Sequence, residues 1–271
     1  MTQFEHDKIK PFSKEGSKKE QVSEMFDGIA ERYDFMNRIL SAGIDIGWRK
    51  KAILMFAKDQ PQIILDVATG TGDMAIMAAK LIRPQKIVGI DISEKMLEIG
   101  RKKVEKEQLG TKIELLRGDG ETINFPDNSF DGGMIAFGVR NFENLEKGLS
   151  EMVRVLKPGG TLFLTMVNRY ALDGFYLNYH ARKLLGRKRV SGDAPHCEFT
   201  TPAEIEKEVL AAGFSTAVHR GVLLGPMRIL YKLSTRIARR IAPVLEPFDD
   251  AICSIHLTRA FAGHLVTVAT R

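Results

Sequence analysis

Cysteine is scarce in this chain, and several other class-defining features are missing. The 271 residues include only Cys197 and Cys253, too few for a disulfide framework or a cysteine-based metal site. His196 precedes Cys197, but no other ligand type follows at a metal-binding spacing, so we expect no metal site. Runs of about 18 apolar residues are absent, which argues against a membrane-spanning helix. Residues 1–5 lack the basic-then-apolar pattern of a secretory signal, and we therefore expect a cytoplasmic protein.

Positive charge is unevenly distributed along the chain. The net charge is +6, yet residues 1–167 contain 25 basic and 25 acidic side chains, so the whole excess lies in residues 168–271. Within that part, Pro226 to Leu245 has the pattern of a basic amphipathic helix. Such a helix fits either peripheral contact with the inner face of an anionic membrane or ordinary packing on the core. Because no RNA-binding module or aromatic–basic platform is recognisable, we expect no nucleic-acid partner.

A glycine-rich turn follows a short apolar run. The run from Ile63 to Val67 predicts a buried parallel strand, and the segment from Met74 to Ile82 predicts a helix. Between them, Gly70 and Gly72 allow the backbone to turn sharply and to approach a ligand. The amino end of the following helix offers N–H groups to that ligand. The dinucleotide fingerprint can also be placed on Gly70, Gly72 and Ala75, so the turn alone leaves two cofactor classes open.

Acidic residues at the ends of three predicted strands distinguish these two classes. Asp66 lies inside the end of the first strand, where a dinucleotide has no evident need of a carboxylate but the cationic S-adenosylmethionine (SAM) does. Asp91 ends the second strand and can accept from both ribose hydroxyls, and Asp119 ends the third and can accept from the adenine amino group. The three acids favour SAM. The alternatives, compatible with cofactor binding, are a strand-end cap for Asp66 and a helix N-cap for Asp91.

Strand and helix patterns alternate through the chain and predict an α/β fold with a doubly wound, Rossmann-like sheet. Two N-terminal helices are expected over about 19–43 and 46–57. Strands are expected near 63–68, 86–91, 112–118, 130–137, 160–167, 216–223 and 263–270, with helices near 72–82, 94–107, 144–155 and 201–213. The sheet should be mostly parallel with an antiparallel edge strand, and the ligand should lie at the carboxyl ends of the parallel strands. We expect residues 1–60 to form an arm and helices, and residues 61–271 to form the SAM-binding domain with helical lid insertions near 168–200 and 226–256.

Four segments resemble the menaquinone and ubiquinone biosynthesis C-methyltransferase family. They are Phe26–Asn37, Trp48–Arg49, Phe125–Asp131 and Ala136–Phe142, and with the glycine turn they extend the resemblance over about residues 19–163. The resemblance implies the class I SAM-methyltransferase fold, SAM as cofactor, and a ring carbon of a prenylated hydroquinone as methyl acceptor. Residues 168–271 look more like the second half of other small-molecule SAM methyltransferases. Two alternatives therefore stay open: another small-molecule acceptor, such as a phenol or lipid, and a non-catalytic SAM-binding subunit.

The same resemblance implies a set of site residues. Contacts to SAM fall on Thr71, Asp91, Asp119, Gly120 and Ala136, to which the turn and strand-end arguments add Asp66, Ala68, Gly70 and Gly72. Arg140 is the candidate that stabilises a phenolate, Asn141 orients the ring oxygen, and Tyr33 closes over SAM or contacts the acceptor. The alternatives are a loop salt bridge for Arg140 and core packing for Tyr33. His180 and His196 are the candidate bases if the second half of the chain sets the chemistry.

Overall fold

Seven strands form a single sheet in the computed structural model, which describes residues 15–41, 44–168, 200–222, 251 and 264–271. The strands are β1 (Ile63–Val67), β2 (Lys86–Asp91), β3 (Ile113–Arg117), β4 (Phe130–Ala136), β5 (Leu156–Val167), β6 (Thr216–Val222) and β7 (His264–Thr270). The helices are α1 (Lys18–Ser41), α2 (Ile44–Phe56), α3 (Asp73–Leu81), α4 (Glu94–Lys106), α5 (Leu145–Val155) and α6 (Pro202–Ala211). Short 3₁₀ turns occupy Ala57–Asp59 and Gly138–Asn141.

The strand order is β3-β2-β1-β4-β5-β7-β6, and only β7 runs antiparallel to its neighbours. The order reverses between β1 and β4, which is where open α/β sheets place their ligands. The predicted α/β fold with a mostly parallel, doubly wound sheet is confirmed. The antiparallel β6–β7 pair lies at the edge as expected, and β7 is the inner strand of that pair.

Helices cover both faces of the sheet because successive strand residues point to opposite sides. Ile64 of β1 belongs to a buried cluster with Phe56 of α2 and Ala75 of α3, whereas the next residue, Leu65, belongs to a second cluster with Leu149 of α5. Burial on both faces explains why β1 and β2 read as nearly continuous apolar runs rather than as alternating patterns.

One predicted boundary was wrong. The sequence predicted a strand near 160–167, but β5 begins at Leu156. Leu156 pairs with Phe130, and the next pair joins Thr161 to Gly132, so the intervening residues form an irregularity inside the strand. Gly159 takes a positive φ of 77° there, which allows the ladder to resume without ending the strand.

Nearly all residues of the predicted lids, the whole basic helix at 226–245, and the candidate bases His180 and His196 lie outside the described residues. The two ends of the first insertion are described, and Asn168 pairs there with Thr200 in an isolated bridge. The division between an N-terminal part and the SAM-binding domain at residue 60 stays a prediction. Among the described residues, no helix combines the length and the apolar character needed to cross a membrane.

Candidate active site

A cleft opens at the carboxyl ends of β1, β2, β3 and β4 and is covered by α1. Most of the predicted site residues line it, although they come from distant parts of the chain. The predicted residues in the lining are Tyr33, Ala68, Gly70, Asp91, Asp119, Gly120, Ala136, Arg140 and Asn141. The other three, Asp66, Thr71 and Gly72, do not line the cleft.

Positive φ angles and hydrogen bonds to the Asp91 carboxylate define the conformation of the turn after β1. Ala68, Gly70 and Gly72 take positive φ angles of 56°, 57° and 75°, which favour glycine and are unusual for alanine. One Asp91 carboxylate oxygen accepts from the Gly70 N–H at 2.8 Å, and the other accepts from the Ser93 N–H at 2.9 Å. Burial raises the pKa of Asp91. The helix N-cap of α4 is Ser93 rather than Asp91, so the carboxylate joins the two loops and still faces the cleft.

Asp66 is buried beneath the turn, with 1% of its surface exposed. Its carboxylate accepts from the Thr69 hydroxyl at 2.6 Å. Burial raises the pKa of Asp66 to about 7, because the charged form loses its hydration there. The structure thus assigns Asp66 a bracing position under the turn, and its direct contact with a cationic ligand stays a prediction.

In the loop after β3, Gly120 lines the cleft with its backbone alone because it has no side chain. A Cβ atom on Gly120 would lie 2.6 Å from Cγ1 of Val67 and 2.8 Å from Cζ of Phe142, so only glycine fits there without displacement. Asp119 Oδ1 accepts from the Glu121 N–H at 2.9 Å. The Asp91 and Asp119 carboxylates can accept hydrogen bonds from hydroxyl and amino groups. Together with the Gly120 backbone and the tight turn after β1, they fit an adenosyl cofactor such as SAM. No cluster of three or more side chains able to hold a metal occurs in the part of the chain that the structure describes.

Helix α1 lies across this cleft and is attached to the loops that follow β1, β2 and β3. The three contacts join Asp34 Oδ1 to Thr71 Oγ1 at 2.7 Å, Asp27 Oδ1 to Ser93 Oγ at 2.5 Å, and Lys19 Nζ to Asp119 Oδ2 at 2.5 Å. Lys103 adds an ion pair with Asp34 at 2.8 Å. Thr71 therefore anchors the covering helix, while its predicted contact with SAM stays a prediction. The sequence reasoning missed the anchoring roles of Lys19, Asp27 and Asp34, although two of them lie in the Phe26–Asn37 motif.

Arg140 stands on the 3₁₀ turn that follows β4. Its guanidinium carbon lies 5.9 Å from the centroid of the Phe137 ring, and Phe137 has a positive φ of 59°. Across the described ranges, no carboxylate forms an ion pair with Arg140, so the alternative of a loop salt bridge finds no partner there. The arrangement leaves a cation facing a cleft, where it can stabilise negative charge on a bound molecule.

Asn141 and Tyr33 complete this end of the cleft. Tyr33 is half-buried, and its ring packs edge-on against Phe26 with the centroids 6.0 Å apart. Both Tyr33 and Phe26 line the cleft from α1, so packing and ligand contact are compatible for Tyr33. The catalytic roles of the three residues stay predictions.

Glu121 lines the cleft but was not identified from the sequence. Its surface is 4% exposed, and its carboxylate accepts from the Glu143 N–H at 2.6 Å and from the Asn144 N–H at 3.2 Å. Burial raises the pKa of Glu121. The only signal in the sequence was its place two residues after Asp119, in a loop already predicted to face the ligand.

The sequence matches one family of known proteins. The model described as the ubiE/COQ5 methyltransferase family matches residues 14–184, a range wider than that of the recognised motifs. The demethylmenaquinone methyltransferase of Bacteroides fragilis is 50% identical over 179 residues, which are 65% of this chain and 73% of that protein. The demethylmenaquinone methyltransferase of Porphyromonas gingivalis is 44% identical over 232 residues, which are 80% of this chain and 94% of that protein.

Solved structures with similar folds are more distant in sequence. The [4+2]-cyclase SpnF has a TM-score of 0.62 at 18% identity, covering 97% of each chain. A SAM-dependent methyltransferase of Thermotoga maritima, described as a possible histamine N-methyltransferase, has a TM-score of 0.58 at 17% identity. It covers 91% of this chain and 98% of its own. At these identities the likeness concerns the fold alone.

Proposed function

Because the chain belongs to the ubiE/COQ5 methyltransferase family, we propose that it methylates a ring carbon of a prenylated hydroquinone, converting demethylmenaquinol to menaquinol. The protein is a SAM-dependent methyltransferase. Support for the acceptor comes from the relatives named above and from one structural observation. That observation is the Arg140 guanidinium, which faces the cleft without an ion-pair partner among the described residues.

The cofactor half of the cleft is built from the loops after β1, β2 and β3. Asp91 would hold the ribose hydroxyls, and Asp119 would accept from the adenine amino group beside the backbone of Gly120. SAM, when bound, supplies an electrophilic methyl group on a sulfonium. The protein's task is then to hold the acceptor carbon in line with that methyl group and to exclude water.

The acceptor half must make a phenol ring carbon nucleophilic. A free phenol has a pKa of about 10, so few molecules are ionised near neutral pH. The carbon beside a hydroxyl becomes nucleophilic when that hydroxyl loses its proton, and Arg140 stabilises the resulting oxyanion. An arginine stays protonated and cannot accept that proton, so the base must be water or another group. Asn141 orients the ring oxygen by hydrogen bonding, and Tyr33 closes this end of the cleft.

Peripheral contact with the inner face of an anionic membrane forms part of this proposal. It is supported by the basic excess in residues 168–271 and by the apolar prenyl chain of the proposed acceptor. Co-sedimentation with liposomes of rising anionic lipid content is the test. Binding that is independent of lipid charge would contradict the electrostatic part of the proposal.

Methyl transfer is the decisive test of function. Methyl-labelled SAM and demethylmenaquinol are incubated with the protein in detergent, and SAM binding is titrated in parallel. We expect labelled menaquinol to form. Binding of SAM without any product would show that the acceptor is a different molecule or that the protein only binds SAM, and soluble phenols would be tested next.

A further inference from the structure

Glu121 connects the cofactor side of the cleft to its acceptor side. We propose that Glu121 is a positioning residue that holds the turn carrying Arg140 and Asn141 in place against the cofactor loop. The inference rests on the function proposed above, because it assigns a role in presenting the acceptor. Glu121 itself follows Asp119 and Gly120 in the loop after β3.

The contacts of the Glu121 carboxylate are directed at one short segment. Its two oxygens accept from the N–H groups of Glu143 and Asn144, at 2.6 and 3.2 Å. Asn144 is the N-cap of α5, where backbone N–H groups have no partner within the helix. A carboxylate there is favoured by charge-assisted hydrogen bonds and by the helix dipole. The segment that starts α5 is therefore tied to the β3 loop rather than only to its own helix.

Apolar packing reinforces this connection. Phe142 lies between Asn141 and Glu143, and its ring packs so closely on Gly120 that a Cβ there would lie 2.8 Å from Cζ. The Glu143 carboxylate in turn accepts from the backbone N–H of Lys18 at 2.9 Å, at the start of α1. Glu121 thus supports the segment on which three walls of the cleft meet: the β3 loop, the Arg140 turn and α1.

Weakening these bonds should change the acceptor side more than the cofactor side. Glu121→Gln keeps the shape and one carbonyl oxygen, but presents an amide NH₂ to the second N–H. The turn can then shift, and misplacement of a reacting group by about 1 Å can cost about a hundredfold in rate. We expect kcat to fall about tenfold, whereas the Kd for SAM should stay within about twofold because Asp91 and the glycine turn are unchanged.

A double-mutant cycle with Arg140→Ala separates positioning from general stability. If Glu121 acts through Arg140, then Glu121→Gln should cost less than about twofold in kcat in the Arg140→Ala background. Glu151→Gln is the matched control. Its carboxylate accepts from the Ile123 N–H at 2.7 Å in the same β3–β4 connection, outside the cleft, and it should lower thermal stability without lowering kcat.

Amide hydrogen exchange gives a readout that needs no substrate. The Glu143 and Asn144 amides should exchange about tenfold faster in Glu121→Gln than in the wild type, and should be unchanged in Glu151→Gln. The inference would be overturned if the Glu143 and Asn144 amides exchanged at the wild-type rate in Glu121→Gln. It would also be overturned if Glu121→Gln lowered kcat equally in the wild-type and Arg140→Ala backgrounds. Repeating the cycle with Glu121→Asp, which keeps the charge on a shorter side chain, makes the result independent of one variant's folding. A wild-type protein that does not methylate demethylmenaquinol would refute the proposed function, and the exchange data would still decide the role of Glu121.

Discussion

Replacing Asp66 with asparagine should remove a pH-dependent loss of stability that the buried carboxyl imposes. An unperturbed aspartate has a pKa of 3.8, and burial under the glycine turn raises the pKa of Asp66 to about 7. Between these values the folded protein holds a proton that the unfolded chain has released. The contribution of Asp66 to the free energy of unfolding is therefore fully present below about pH 4, and it is lost as the pH rises through 7.

The magnitude follows from the two pKa values. At about 1.4 kcal/mol per pH unit, the difference between 3.8 and about 7 corresponds to about 4 kcal/mol of unfolding free energy. The Thr69 hydroxyl and Arg49 oppose the shift, while the nearby Asp91 adds to it, and all three are included in the raised value. Asparagine cannot ionise, but its amide oxygen can still accept from the Thr69 hydroxyl.

The assay is urea unfolding of the wild type and of Asp66→Asn, without SAM, at about pH 4 and about pH 8. We expect the wild type to lose about 4 kcal/mol relative to the variant between these pH values. Groups whose pKa is lowered by folding, such as Asp131 and Glu151, act in the opposite direction but cancel because both proteins contain them. A difference in unfolding free energy that does not change with pH would refute the burial of an ionisable group at this position.

Three further predictions concern the cleft and its covering helix. Arg140→Ala should lower kcat about a hundredfold and leave the Kd for SAM within about twofold, because it removes only the cation that stabilises the acceptor's oxyanion. Equal losses of turnover and of affinity for SAM would contradict the assigned role. Gly120→Ala should lower the unfolding free energy by about 1–3 kcal/mol and weaken SAM binding by calorimetry, whereas Gly110→Ala, where an added Cβ meets nothing within 4 Å, should change neither. Asp34→Asn should speed amide exchange across α1, because it weakens the ion pair with Lys103; unchanged exchange would show that packing alone holds the helix.

Much of the cofactor half could be predicted because it depends on local features. Apolar runs locate β1 and β2, and the residue that ends each run must reach the carboxyl edge of a parallel sheet. The prediction that Asp91, Asp119 and Gly70 share one cleft follows from that topology, and the structure brings them together.

The position of Asp66 was harder to predict. Its place near the strand end suggested contact with a ligand, but its side chain is buried under the turn and accepts from Thr69. Whether a strand-end side chain faces the cleft or the interior depends on the strand pleat and on how the following turn folds back. A shift of one residue along the strand turns the side chain to the opposite face of the sheet.

The amino-acid sequence by itself determined the order of elements, the glycine turn, the strand-end acids and the motifs that mark the family, because each of these is encoded within a few neighbouring residues. Only the tertiary structure decided which helix covers the cleft, and it did so through contacts such as Lys19 with Asp119, which are 100 residues apart. It also decided that Glu121 joins the cofactor loop to the start of α5. Such contacts have no local pattern, because they arise only when the sheet brings separate loops to the same edge.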